Sequence, residues 1–288
     1  MALAEPGGNG NSAAEPTREE SVSGAMTRQP ERRRPCTPAC VRSSAVIRSA
    51  RAVAALLALL ALSRPAMADS DALWYIVSEQ CVPDQQQFHS PKPCALVDLA
   101  AGYVVLKDRE GETQFLLMPT ARITGIESPA ILAGDAPNYW DAAWQARHFV
   151  NERAHRDLPR DAISLAINSE SGRTQNQLHI HIDCVRLDVQ AALRAHADAV
   201  GPGWAPFPAR FAGHDYMAMR IDQPDLAHTN PFILLADGIP GARADMARYT
   251  LVLVGVADGF VLLAGHADGI ANRGSGEELQ DHACAAAH

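Results

Sequence analysis

From Gln177 to Asp183, polar and apolar residues alternate without a break. Leu178, Ile180 and Ile182 fall in one register, and Gln177, His179, His181 and Asp183 in the other. Successive side chains of a β-strand point to opposite faces. The run therefore reads as a strand with an apolar face toward a core and two imidazoles on the other face. Imidazole is the side chain that exchanges protons near pH 7 without a large perturbation, and its neutral nitrogen is nucleophilic. One wall of a reactive site is the expectation.

The rest of the chain limits what such a strand serves. Its 288 residues are 47% apolar and 20% charged, enough for a core in one large or two small domains. Residues 1–68 carry nine Arg and five Glu, whereas the remainder holds 16 basic and 28 acidic residues. A body with a net charge of −12 lacks the basic stripe a nucleic-acid binder needs.

Residues 1–43, rich in Gly, Pro, Ser, Arg and Glu, read as a disordered leader. Within 44–68, Arg48 and Arg51 precede an apolar run from Ala52 to Leu62, and Ala66-Met67-Ala68 follows, the layout of a secretory signal. Eleven helical residues reach only about 17 Å against a hydrocarbon core of roughly 30 Å. Cleavage after Ala68 is the first reading and an uncleaved membrane anchor the second. An export signal behind so long a leader is unusual, so the start is expected downstream, at Met26 or at a Val codon. Residues 69–288 then form the folded part.

Cysteine usage agrees with export. Beyond the leader stand Cys81, Cys94, Cys184 and Cys284, an even number that suggests two disulfides. Cys81 and Cys94 flank a stretch with Pro83, Pro91 and Pro93, which makes their pairing economical and leaves Cys184 for Cys284. A zinc site is the poorer reading, since no two form a close C-x-x-C pair.

Along the folded part, Ala72–Gln80 reads as a helix. Gly102–Lys107 and Gln114–Met118 read as strands of a hairpin ended by Pro119. Asn138 with Asp141 resembles a helix cap ahead of Trp140, Ala143, Trp144 and His148 at helical spacing, with both tryptophans as core. Ala162–Ile167 reads as a buried strand and 188–200 as a helix. A second group of elements near 213–221, 231–237, 241–249, 250–256 and 259–265 resembles the first weakly, which suggests a degenerate internal copy. Strand pair, helix, strand pair is an α+β pattern with antiparallel pairing. Neither a P-loop nor a dinucleotide fingerprint is present.

The segment Gly172-Arg173-Thr174-Gln175-Asn176 followed by Gln177-Leu178-His179-Ile180-His181-Ile182 resembles the histidine-triad superfamily, whose strand H-φ-H-φ-H-φ-φ follows G-Q-[ST]-x-x. Within it, the runs CVPDQQQ (81–87), GYVVLKD (102–108), LLMPTARITGIESP (116–129), AWQAR (143–147), PF..LA (231–236) and LQDHAC (279–284) resemble the bacterial CDP-diacylglycerol pyrophosphatase family across 73–284. The resemblance implies a histidine-triad-like antiparallel sheet with packed helices, its catalytic half at about 69–200. It also implies hydrolysis of CDP-diacylglycerol to CMP and phosphatidate, with His179 as nucleophile and a nucleotidyl-histidine intermediate. His181 would contact phosphate oxygens or hold His179, and Asn168 and Thr174 would donate hydrogen bonds to phosphate. Arg173, where many relatives have Gln, would face the pyrophosphate, and Gln177 stands where the family has its first histidine.

No cofactor or nucleic-acid partner is implied, and nothing here fixes the oligomeric state. The partner is a lipid-linked nucleotide at the membrane surface. The implied location is the bacterial inner membrane facing the periplasm, or the periplasm after signal cleavage. Competing readings are a related enzyme acting on a soluble nucleotide diester or transferring CMP to another acceptor, and a non-catalytic module that binds nucleotides or lipid headgroups. A metal site built on His179 and His181 with Asp183, His148 or His214 is a further alternative. Lys107 and Arg122 read as solvated charges able to steer anionic headgroups, and His282 receives no role.

Overall fold

A computed structural model describes residues 69–288. The readings of residues 1–68 (disordered leader, downstream start, signal or anchor) lie outside the described residues. None of the described helices is long and apolar enough to cross a membrane.

The first helical stretch runs from α1 (Ala72–Ile76) through a π-turn at Val77–Cys81 into α2 (Val82–Phe88). It outlasts the expected end at Gln80, with Pro83 taken up directly after the π-turn. The strands β1 (Leu96–Asp98), β2 (Tyr103–Lys107) and β3 (Phe115–Pro119) follow, then α3 (Tyr139–Gln145) and α4 (His148–Ala154). Asn138 caps α3 as expected, accepting from the Asp141 N–H. Strands β4 (Ile163–Ile167) and β5 (Ile180–Val185), helix α5 (Leu187–Ala195), and strands β6 (Ala205–Pro206) and β7 (Tyr216–Ile221) come next. Helix α6 (Pro231–Gly238) and strands β8 (Tyr249–Val256), β9 (Gly259–His266) and β10 (Gln280–Asp281) complete the described chain.

The fold is α+β. All strands join one ten-stranded antiparallel sheet in the order β1-β2-β3-β5-β4-β8-β9-β7-β6, with β10 pairing β5. Outward from the central β4–β8 pair, β5-β3-β2 on one side is matched by β9-β7-β6 on the other. That correspondence is one of strand order alone.

The two faces of the sheet are covered differently. On one, Leu165, Ile180, Ile182, Leu253 and Leu262 pack under the helices that carry Trp140, Trp144 and Phe232. On the other, the cover comes in two pieces. Val104, Leu106, Leu116 and Met118 lie against Val77 and Cys81 of the first helical stretch. Val252, Val254, Val261 and Leu263 lie against Val189 and Leu193 of α5. The gap between these pieces lies over β5, and there the second face opens into a cavity.

Both cysteine pairs are joined as the sequence suggested, Cys81 to Cys94 and Cys184 to Cys284. The second pins the chain end to β5, where Asp281 pairs with Cys184 and Gln280 with Val185.

Candidate active site

His181 sits within β5, opposite Leu116 on β3 and Ala166 on β4. Ala166 is small, which leaves room for an imidazole in the middle of a sheet. His179 immediately precedes the strand, which begins at Ile180, later than the alternation suggested. The alternation itself holds, with Leu178, Ile180 and Ile182 in the core beneath α3 and α4. The other register is also covered, however. His179 and His181 are only 7% and 4% exposed, because the N-terminal helices and the C-terminal segment close over them. Their rings lie 4.8 Å apart at 72°, and both line a cavity of about 470 Å³.

The histidines differ in what meets their Nδ1 atoms. His179 Nδ1 lies 2.6 Å from the carbonyl oxygen of Gln177. A carbonyl only accepts, so Nδ1 carries the proton and the Nε2 lone pair is free. His181 Nδ1 lies between two groups of opposite character, the Nε2 amide of Gln114 at 3.0 Å, whose other N–H donates to Asp108 Oδ2 at 2.7 Å, and the Glu277 carboxylate at 3.2 Å. Its Nε2 is buried and has no partner among the described residues. Burial lowers the pKa of His179 to about 4, with His181 adding to the effect and the Gln177 carbonyl opposing it. Burial likewise lowers His181 to about 3. Both rings are neutral at pH 7, and His179 offers the lone pair of its Nε2.

Several side chains the sequence did not single out hold this arrangement. Glu277, delivered by the C-terminal segment, has Oε1 3.2 Å from His181 Nδ1 and accepts from Asn168 Nδ2 at 2.5 Å. Asp183 is fully buried, with Thr113 Oγ donating at 2.6 Å, its own Cys184 N–H at 2.9 Å and His282 Nδ1 at 2.9 Å. The Asp183 hydrogen bond raises the His282 pKa against the opposing effect of burial. Gln114 could have been noticed as an amide at the entry of an otherwise apolar strand. Glu277 lies in a loop without periodicity, a hundred residues from the histidines, and carries no local signal.

The remaining candidates divide. Thr174 and Gly172 line the cavity beside the histidines. Gly172 is required by close packing, since a Cβ there would meet the Gly274 carbonyl oxygen at 2.5 Å. Asn168 also lines the cavity, but it serves the protein too: its Oδ1 accepts from Gly276 N at 2.8 Å while its Nδ2 holds Glu277.

Arg173 does not face the cavity. Its guanidinium makes two bonds to Glu127, at 2.7 and 2.8 Å, and is neutralised there. Burial alone would raise the Glu127 carboxyl. Arg173, a backbone N–H and Thr124 together hold it below the usual range. Gln177 is likewise turned inward, its Nε2 donating to the carbonyls of Pro119 and Ala121 at 3.0 Å each. What Gln177 gives the site is its backbone carbonyl.

The metal reading fails on geometry. Among the described residues, no three His, Cys, Asp or Glu side chains come together to hold an ion. His148 bonds the Gln145 carbonyl on α4, and His214 faces Glu278.

A buried neutral imidazole with a free lone pair, beside a second neutral imidazole, is equipment for covalent catalysis at a phosphorus or acyl centre. Residues 68–288 match the family model described as CDP-diacylglycerol pyrophosphatase, and the chain belongs to that family. The CDP-diacylglycerol pyrophosphatase of Yersinia pestis is 49% identical over 218 residues, 75% of this chain and 84% of that protein.

Proposed function

We propose that the protein hydrolyses the pyrophosphate bond of CDP-diacylglycerol, giving CMP and phosphatidate through a nucleotidyl-histidine intermediate on His179, in the manner of histidine-triad enzymes. Family membership supports the substrate. The observation that carries the mechanism is the Gln177 carbonyl on His179 Nδ1, which leaves Nε2 as the nucleophilic nitrogen.

In the first step His179 Nε2 forms a bond to the phosphorus of the CMP moiety. The bond from that phosphorus to the bridging oxygen breaks, and phosphatidate leaves with the electron pair. This leaving group is a phosphate monoester and already a weak base, so it needs little protonation. In the second step water attacks the same phosphorus, the P–N bond breaks, and CMP departs as a proton passes to solvent. His181, in the tautomer with its proton on the buried Nε2, and the hydroxyl of Thr174 supply hydrogen bonds for the charge that grows on the phosphoryl oxygens. Gln114, Asp108 and Glu277 hold His181 in register. The substrate is met at a membrane surface, with the protein on the periplasmic side of the inner membrane.

Purified protein incubated with CDP-diacylglycerol in detergent and EDTA should release CMP. His179→Ala should abolish that release while thermal melting shows an intact fold. A denaturing quench that spares acid-labile bonds should trap labelled cytidylate on wild type and none on the variant. A folded His179→Ala protein with wild-type rates would sink the mechanism.

A further inference from the structure

The first described helix is apolar all round but only partly covered: Leu73, Trp74 and Ile76 pack against the core that holds Val104, Leu106 and Leu116 without being fully buried. Its sequence is Ala72-Leu73-Trp74-Tyr75-Ile76, yet none of the five is buried, and Tyr75 is 56% exposed. A helix without a polar face is normally covered on every side. Leu73 and Ile76, one turn apart, are half-buried and line the catalytic cavity. Pro93, Leu106 and Leu116 line the same cavity, together with the polar groups of Asn168, Thr174, His179, His181 and Glu277. The cavity is thus of mixed character, and the edge of this helix supplies part of its apolar lining.

Two further points decide what lies against that lining. Volume is the first. About 470 Å³ is the size of a site for one small molecule. Two acyl chains that each span half of a ~30 Å hydrocarbon core do not fit inside it. Composition is the second. Tyr75 stands exposed beside the half-buried Trp74, whose ring lies under Arg122, and such a pair suits the boundary between water and lipid, where one edge of the ring is apolar and the other wet.

We propose that α1 is the lipid-side wall of the active site. Leu73 and Ile76 contact the diacylglycerol end of the substrate as its headgroup enters the cavity, while the acyl chains remain in the bilayer beside Trp74 and Tyr75. This rests on the reading of the substrate given above. It adds the part of the protein that tells a lipid-linked nucleotide from a soluble one: the polar groups hold the reacting phosphates, and the edge of α1 selects what the second phosphate carries.

The test compares kcat/KM for CDP-diacylglycerol in mixed micelles with kcat/KM for CDP-glycerol, the same ester without acyl chains. It uses the intact chain, the variant L73N/I76N, and L73A/I76A should the first melt early. Wild type should favour the lipid ester, and both variants should lower that preference about tenfold or more, as expected for losing the burial of aliphatic side chains. If CDP-glycerol turns over too slowly, the same ratio is read from product inhibition by dioctanoyl phosphatidate and by CMP. An unchanged preference overturns the proposal. So does an equal loss on both esters, or a loss confined to CMP inhibition, either of which would put the cytosine against this wall. A wild-type protein that releases no CMP from CDP-diacylglycerol overturns the function itself, and the two failures are told apart by that control.

Discussion

At the residue scale, the site depends on which nitrogen of His179 carries the proton, and the Gln177 backbone carbonyl decides it. The consequence appears in pH dependence. Burial holds folded His179 near pKa 4, so the acid limb of kcat/KM should fall near pH 4 to 5. An exposed imidazole would place it near 6.5. A rate profile with its acid limb at 6.5 would show that His179 is solvated during turnover. The same shift acts on stability. Between pH 6.5 and 4 the unfolded chain binds a proton at this position that the folded chain refuses, so stability is lost as pH falls through that window. The alternation made the two imidazoles legible in the sequence. It could not show that Gln177 points inward to the Pro119 and Ala121 carbonyls, because a strand pattern carries no information about which loop lies beneath it. Arg173 is the same lesson. Its charge suggested phosphate until Glu127, 46 residues earlier, proved to neutralise it.

At the element scale, the turn between β2 and β3 matters most, because it carries Asp108 and leads into Gln114, the pair that reaches His181 Nδ1. It is held by the C-terminal segment: the Glu112 N–H donates to the His282 carbonyl at 3.1 Å, and Thr113 joins Asp183. Gly111 is the point of closest approach, with φ +66°, and a Cβ there would stand 2.7 Å from that of His282. Gly111→Ala should therefore cost about 1–3 kcal/mol from backbone strain and displacement, read as a lower midpoint in urea. It should also lower kcat as Gln114 shifts from His181. A Gly111→Ala protein with normal stability and turnover would show that the turn is free of the tail. The hairpin was legible from two apolar runs around polar residues. Its docking was not, since its partner lies 170 residues away. The helix that begins at Ala72 was legible at its start and ran past its expected end through a π-turn that precedes Pro83.

For the whole molecule, the sheet carries a continuous helical cover on one face and a divided one on the other, and the site occupies the division. Composition and strand spacing pointed to α+β with antiparallel pairing, and the sheet has it. The central β4–β8 pairing, which joins the two halves, had no sequence signal, because register between distant apolar strands is set by packing rather than by local pattern. The Cys184–Cys284 bridge closes a loop 100 residues apart in sequence, and Cys81–Cys94 one of 13. Loop-closure entropy assigns the larger loop about 4–5 kcal/mol and the smaller about 3. Cys284→Ser should accordingly lower the denaturation midpoint more than Cys94→Ser. It should also reduce turnover, because the tail that carries Glu277 and His282 loosens. Equal effects of the two variants would contradict that ordering.

The C-terminal placement of Glu277 has a consequence for biosynthesis. The two imidazoles are made about a hundred residues before the carboxylate that lies against His181, and β10 and Cys284 are made later still. A chain still being synthesised holds both histidines but lacks the segment that closes over them. Loss of the segment from Glu277 onward would therefore leave both imidazoles in place while removing the carboxylate against His181 and the strand pairing and disulfide that pin the segment to β5.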